Sequence, residues 1–192
     1  GNGNYALNDA GACIFSQGAQ ESVSYADFAL GLNSTHNDQG SIRLVAEFGE
    51  VSLIESIEDP TEFPLDVWSH VVLTFSNGEI KFYINGDLSS IHSVNLESIY
   101  NSFDNIFIGR RMSSSSTGNF PGLIDRIRIW NQVIDIDDLD ENNNFMIADW
   151  QFNQGQNGIN SNNLIDYSGN QNHGTIYGAE WVQDPILGDL ND

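Results

Sequence analysis

The chain has 192 residues, 40% of them apolar and 11% aromatic, which is ample for a sizeable core and too apolar for a wholly disordered chain. Six basic residues face 27 acidic ones, and the formal net charge of −21 repels nucleic-acid phosphate and anionic lipid, disfavouring both as partners. Cys13 is the only cysteine, so no intrachain disulfide forms, and no apolar run approaches the ~20 residues of a membrane span.

Short strand-like runs fill the chain at 12–16, 25–32, 42–48, 51–54, 71–75, 80–84, 105–108, 123–130, 147–152 and 174–177. Turn residues separate them, and no long stretch shows a helical period. Cys13, in the run Ala12-Cys13-Ile14-Phe15, reads as a small buried hydrophobe. The clearest unit is the pair 71–75 and 80–84 joined by Ser76-Asn77-Gly78-Glu79, because Asn and Gly tolerate the positive φ of tight hairpin turns. Within its second run Ile80, Phe82 and Ile84 share one face, with Lys81 and Tyr83 on the other. A Ser-rich stretch, 113–118, is a loop. One short helical turn is expected at 137–141, its acidic run a solvated surface. With no internal repeat and no long linker, the economical reading is one domain, 1–192. Gly1-Asn2-Gly3-Asn4 reads as the interior of a loop, so the chain is expected to be a piece of a larger protein.

Four segments follow one another in a familiar order: Trp68-Ser69-His70-Val71-Val72-Leu73-Thr74-Phe75, the 80–85 strand with Gly86, Ile106-Phe107-Ile108-Gly109-Arg110, and 120–131, Phe-Pro-Gly-Leu-Ile-Asp-Arg-Ile-Arg-Ile-Trp-Asn. Beyond them come Ala148-Asp149-Trp150-Gln151-Phe152-Asn153-Gln154-Gly155 and the stretch 166–179 that opens Asp166-Tyr167-Ser168-Gly169-Asn170. Over residues 65–182 this pattern resembles the laminin-G-like, concanavalin-type jelly-roll domain of secreted bacterial proteins. The resemblance implies an all-β, two-sheet antiparallel jelly-roll sandwich, often with a structural calcium, binding sugars or protein surfaces through loops at a sheet edge. Some relatives of this architecture are glycanases and lyases. The opening strand pair of the family is not visible before Gly1, and the sheet is expected to be completed either by a neighbouring subunit or an adjoining part of the protein, or by the chain's own strands at 147–152 and 174–177. Where relatives carry a second acidic residue after Asp125, this chain has Arg126.

Two places read as possible metal ligands. The strand period of 123–130 puts Asp125 on one face with Ile127 and Ile129. A carboxylate half-buried there needs a cation, an arginine or N–H donors, and in the similar family the position is a calcium ligand. In loop 166–174 the side-chain oxygens of Asp166, Ser168, Asn170 and Asn172 fall at every second position, which fits either a Ca²⁺ loop or a hydrogen-bonded Asx-turn loop. For a glycan, the aromatic candidates in loop-like sequence are Tyr5, Tyr100, Phe103, Tyr167 and Trp181, while Trp68, Trp130 and Trp150 sit in apolar runs and read as core. Arg110 and Arg111 are the cations placed to hold an acidic group, with ion pairing to Asp and Glu as the alternative.

His36, His70, His92 and His173 have no zinc spacing, no serine sits in a nucleophile elbow, and the acidic residues show no alternation within an aromatic strand. The expected function is a non-catalytic binding or adhesion module of a secreted or cell-surface protein, recognising carbohydrate or a protein surface with a structural calcium ion. A structural repeat of an extracellular filament with no small ligand, and a glycan-cleaving enzyme on the same fold, are the alternatives.

Overall fold

The computed structural model describes residues 12–18, 28–33, 41–50, 53–99, 105–110, 118–140, 144–153 and 162–182. The chain divides into two compact units, Gly1–Gly122 and Leu123–Asp192.

In the first unit the strands are β1 (Ala12–Gln17), β2 (Phe28–Asn33), β3 (Arg43–Glu50), β4 (Leu53–Glu58), β5 (Val71–Ser76), β6 (Glu79–Ile84), β7 (Asp87–Ser93) and β8 (Ile106–Ile108). They build a five-stranded sheet in the order β4-β3-β2-β1-β8 and a three-stranded sheet β5-β6-β7, antiparallel throughout. Strand alternation decides what meets between them. Leu44, Ala46 and Phe48 of β3 point the same way and close on Ile80 and Phe82 of β6, all five fully buried. Val71, Leu73, Phe75 and Ile84 pack around this seam from the smaller sheet, and Ile14, Phe28, Leu30 and Ile57 from the larger. A run of tilted rings, Phe15 to Phe28 to Phe48 to Phe75, crosses the core with centroid spacings of 5.7, 5.3 and 5.8 Å. This is a two-sheet antiparallel sandwich, as the sequence predicts.

The second unit carries β9 (Ile127–Trp130) paired with β10 (Met146–Trp150), and β11 (Asn163–Leu164) paired with β12 (Gly174–Thr175). Its buried residues include Ile134, Leu139, Met146, Ala148, Trp150 and Leu164. The helical turn predicted at 137–141 is a 3₁₀ turn at Ile136–Asp138, its first N–H groups capped by Asp135, whose carboxylate accepts from the Asp137 amide at 3.2 Å. Among the described residues there is no α-helix.

Four elements differ most from the sequence reading, among them β11 (Asn163–Leu164), which has no predicted counterpart. The run predicted at 51–54 is displaced to Leu53–Glu58. The strand predicted at 123–130 begins only at Ile127. β7, Asp87-Leu-Ser-Ser-Ile-His-Ser, has no predicted counterpart, because its polar sequence hides a strand that the Asn85-Gly86 turn forces into place.

Both connections in the three-stranded sheet are two-residue turns with left-handed backbone at each position: Asn77 and Gly78 at φ 50° and 74°, Asn85 and Gly86 at 54° and 90°. Such turns match the right-handed strand twist. Asn85 is further held by His70, whose amide donates to its Oδ1 at 2.8 Å and whose carbonyl accepts its amide at 2.8 Å. The two glycines separate backbone strain from crowding. A Cβ on Gly86 meets nothing within 4 Å, whereas one on Gly78 lies 2.8 Å from the Val94 carbonyl oxygen. Gly86→Ala is expected to cost about 1 kcal/mol from left-handed strain alone, and Gly78→Ala at least about 2 kcal/mol. Urea unfolding midpoints of the two variants check the order; equal losses would mean that the Val94 contact relaxes freely.

Candidate functional site

The first unit holds an open cleft of about 400 Å³ lined by Arg43, Glu55, Ser56, Ile57, Glu58, Pro60, His92, Ser93 and Val94. Its size is that of a small-molecule site. Four consecutive residues of β4 and two of β7 contribute, and consecutive residues of a strand point to opposite faces. The cleft therefore runs along the edges of the two strands and not across a sheet face. Each is an outer strand of its sheet among the described residues. An edge offers unpaired backbone N–H and C=O groups beside its side chains.

One buried carboxylate organises the β7 wall. Asp59, just after β4, is fully buried. It accepts hydrogen bonds from the Thr61 amide at 2.7 Å, Ser89 Oγ at 2.9 Å and Ser90 Oγ at 2.6 Å, and its own amide donates to the Leu44 carbonyl at 2.8 Å. Neighbouring residues of a regular strand cannot both reach one acceptor. Here they do because the β6–β7 register shifts between Phe82 and Tyr83, leaving Ser89 as the extra residue of a bulge. The Ser90 hydroxyl proton is committed to Asp59, so the 3.0 Å contact with His92 Nε2 makes that nitrogen the donor. The imidazole also stands edge-on to Phe82, centroids 5.8 Å apart at 87°. His92 is thus fixed from two sides at the cleft wall.

On the β4 wall, Arg43 Nη1 and Glu58 Oε1 are 3.4 Å apart, with side chains 23% and 13% exposed. The pairing Val45 to Glu58 and Phe48 to Glu55 places Glu58 on the face opposite the core seam and Glu55 on the core side. These two carboxylates do not confront each other across the cleft, as a glycoside-hydrolysing pair must. Glu47 shares the face of Glu58, but it is buried and is not a wall of the cleft.

Among the described residues, none of those predicted for ligand binding lines this cleft. Tyr5, Tyr100, Phe103 and Arg111 lie outside the described residues. Arg110 is exposed, its guanidinium 5.7 Å from the centroid of the Phe107 ring, and its carbonyl accepts from Ser16 Oγ at 3.1 Å. In the second unit Trp181 is half-buried and Tyr167 is 51% exposed. Of the three tryptophans read as core, Trp150 is buried with its indole N–H donating to the Asn172 carbonyl at 2.8 Å, and Trp130 is half-buried beneath the Arg128 guanidinium at 5.2 Å. Trp68 is corrected: it precedes β5 and is 50% exposed.

The predicted metal residues divide. Asp125 is exposed and lies ahead of β9, so the half-burial that singled it out does not occur. Asp166, Asn170 and Asn172 do come together, but as an Asx-turn loop. Asp166 Oδ1 accepts from the amides of Asp149 and Ser168, both at 2.9 Å, and Oδ2 from the Ser168 hydroxyl at 2.8 Å and the Asn172 amide at 2.9 Å. These four donors fill the four lone-pair positions of a carboxylate. The Asn170 and Asn172 side chains turn their amide nitrogens to the Ile147 carbonyl, at 3.1 and 2.9 Å. Calcium takes six to eight oxygens, and among the described residues no group of three His, Cys, Asp or Glu is gathered to hold a metal. Loop 166–174 does not fit a cation.

Two buried carboxylates of this unit titrate below the ordinary aspartate range. Burial pushes Asp149 up, but bidentate hydrogen bonds from Arg126 at 2.8 and 2.9 Å, with a third from Gln151, outweigh it. Burial likewise pushes Asp166 up, and its N–H and O–H donors outweigh that. A depressed folded-state pKa contributes stability above the unfolded value of about 3.9 and loses it as pH falls through the folded value. The melting temperature should therefore hold steady from neutral pH down to about 5 as far as these groups act, then fall below about 4. Asp166→Ala, which strands three backbone amides, should cost about 3 kcal/mol. The loss should be equal in EDTA and in excess calcium by calorimetry; a loss confined to calcium buffer would restore a metal to the loop.

Comparison with known proteins bears on what these units are. A laminin-G family model described as the concanavalin A-like lectin/glucanases superfamily matches residues 5–140. No curated protein matches the chain. Among solved structures, the S-layer domain-containing protein of Clostridium thermocellum (residues 221–444) is similar at 20% identity, with a TM-score of 0.33, covering 67% of this chain and 61% of that one. The chain thus spans less than two thirds of that structure. With the family model covering more than half of its length and an all-β antiparallel sandwich beneath it, this chain is a jelly-roll protein belonging to the concanavalin A-like lectin/glucanase superfamily.

Proposed function

We propose that this chain is a non-catalytic, carbohydrate-binding module of a secreted or cell-surface protein, with the cleft between β4 and β7 as its glycan site. The observation that carries the reading is the cleft's construction from two strand edges. A sugar hydroxyl both donates and accepts, and it is best met by a wall that offers both. Here a guanidinium and two serine hydroxyls stand beside two carboxylates, the imidazole of His92 and the edge carbonyls. The Asp59 network holds the β7 side rigid, so little side-chain entropy is lost on binding. The placement of Glu55 and Glu58 on opposite faces of β4 favours binding over hydrolysis. A glycan array followed by calorimetry tests the assignment. Arg43→Ala is expected to weaken the best array ligand about tenfold while no reducing ends are released from it. Undiminished binding by Arg43→Ala moves the site elsewhere, and ligand cleavage overturns the non-catalytic reading.

The outer positions of β4 and β7 among the described residues favour a second reading, in which a strand from another copy or a neighbouring segment pairs there and the chain is a structural subunit. Sedimentation of the isolated chain separates the two: polymers that dissociate on substitution of proline into β4 support the subunit, and a monodisperse monomer that binds glycan supports the module.

A further inference from the structure

We infer that the cleft prefers an amino sugar carrying a free ammonium group, with Glu55 as the anchor for that charge. The inference rests on the cleft's assignment as a glycan site and specifies its ligand. The cleft walls carry two carboxylates, Glu55 and Glu58, and one guanidinium, Arg43. Arg43 is engaged with Glu58 at 3.4 Å. His92 directs its Nε2 hydrogen to Ser90 and away from the carboxylates. Glu55 is therefore left as a half-buried carboxylate with no ion-pair partner among the described residues.

The surroundings reinforce the sign of this site. Asp59 adds a second negative charge immediately behind the β4–β7 wall, compensated by hydroxyl and amide donors and not by a cation. The chain as a whole carries only six basic residues against 27 acidic ones, so the long-range field is negative as well. A ligand acidic in character, such as a uronic acid or a sulfated sugar, meets repulsion here. A neutral sugar satisfies the hydroxyl and backbone partners but leaves Glu55 to lose water without gaining a donor. An amino sugar supplies both its hydroxyls and three N–H donors on a cation, and the resulting hydrogen bond is charge-assisted. Discrimination falls on one substituent: acetylation of the amine removes the charge and adds bulk at the same atom.

Calorimetry of the full chain with glucosamine oligosaccharides and with their N-acetylated counterparts tests this directly. The wild-type chain should bind the free-amine series about five- to tenfold more tightly, as expected for a charged contact at a half-buried site. The preference should shrink as salt is raised. Glu55→Gln keeps the side chain's shape and its acceptor oxygen, and should bring the two series to equal affinity. Equal binding of both series by the wild-type chain overturns the amine preference and leaves the glycan site standing. Binding of neither series overturns both. Tighter binding of oligolysine than of any sugar, lost in Glu55→Gln, also overturns it, because the cleft would then be a basic-peptide site.

Discussion

The parity of β3 is the constraint from which the first unit follows. With Leu44, Ala46 and Phe48 committed to the seam with Ile80 and Phe82, Arg43, Val45 and Glu47 have to face the other way. The β3–β4 register then carries that choice outward. Val45 opposite Glu58 brings the Glu58 carboxylate to the face of Arg43, and Phe48 opposite Glu55 leaves Glu55 on the core side of the edge. A slip of one residue would turn Glu58 toward the core and Ile57 away from it. The placement of the cleft's two carboxylates and the ion pair on its β4 wall both derive from a packing decision made on the neighbouring strand.

The core of this unit was readable in the sequence and its cleft was not, for a common physical reason. Strands that send an apolar face into the core alternate apolar and polar residues or run apolar, so 12–16, 42–48 and 80–84 announce themselves, as does 71–75 although it ends its sheet. A strand that ends a sheet has one neighbour, and where its side chains are partly wet its sequence can drift toward the composition of loops. Leu-Ile-Glu-Ser-Ile-Glu of β4 and Asp-Leu-Ser-Ser-Ile-His-Ser of β7 are of that kind. A polar cleft between two edges is built from the residues that make edge strands hard to recognise. The signal that was present is indirect: Asn85-Gly86 repeats the chemistry of Asn77-Gly78, and a tight turn of that type commits the chain to a returning strand whatever its composition. The same rule applied twice would have found β7 and with it His92.

A chain with 27 acidic residues and six basic ones cannot neutralise its buried carboxylates with cations, and it does so mostly with hydrogen. Asp59 is held by one amide and two hydroxyls, Asp166 by three amides and one hydroxyl. Asp149 alone, among these three, draws an arginine into a bidentate pair. Backbone amides suit this role, since they are already ordered by the fold and cost no side-chain entropy to recruit. Each such carboxylate also ties distant segments together, Asp59 linking the end of β4 to β7 and Asp166 linking β10 to the loop after β11. Buried acid in this protein is a structural tool as much as a surface charge.

That economy explains why loop 166–174 imitates a calcium loop without fitting a cation. In both designs, side-chain oxygens recur at every second residue. In a metal loop the alternation turns oxygens inward to a common ion. In an Asx-turn loop it arises because a side-chain oxygen reaches the amide two residues on, as Asp166 reaches Ser168 and Ser168 reaches Asn170. Spacing alone cannot tell these apart, since both follow from the reach of a short polar side chain along the backbone. The asparagines decide it. A metal site would use their carbonyl oxygens, but both direct their amide nitrogens to the Ile147 carbonyl, a demand set by β10. The nearby indole of Trp150 fixes the matter further by claiming the Asn172 main-chain carbonyl, which would otherwise be the natural backbone ligand. The tryptophan and the loop, separate motifs in the sequence, are halves of one hydrogen-bonded clasp.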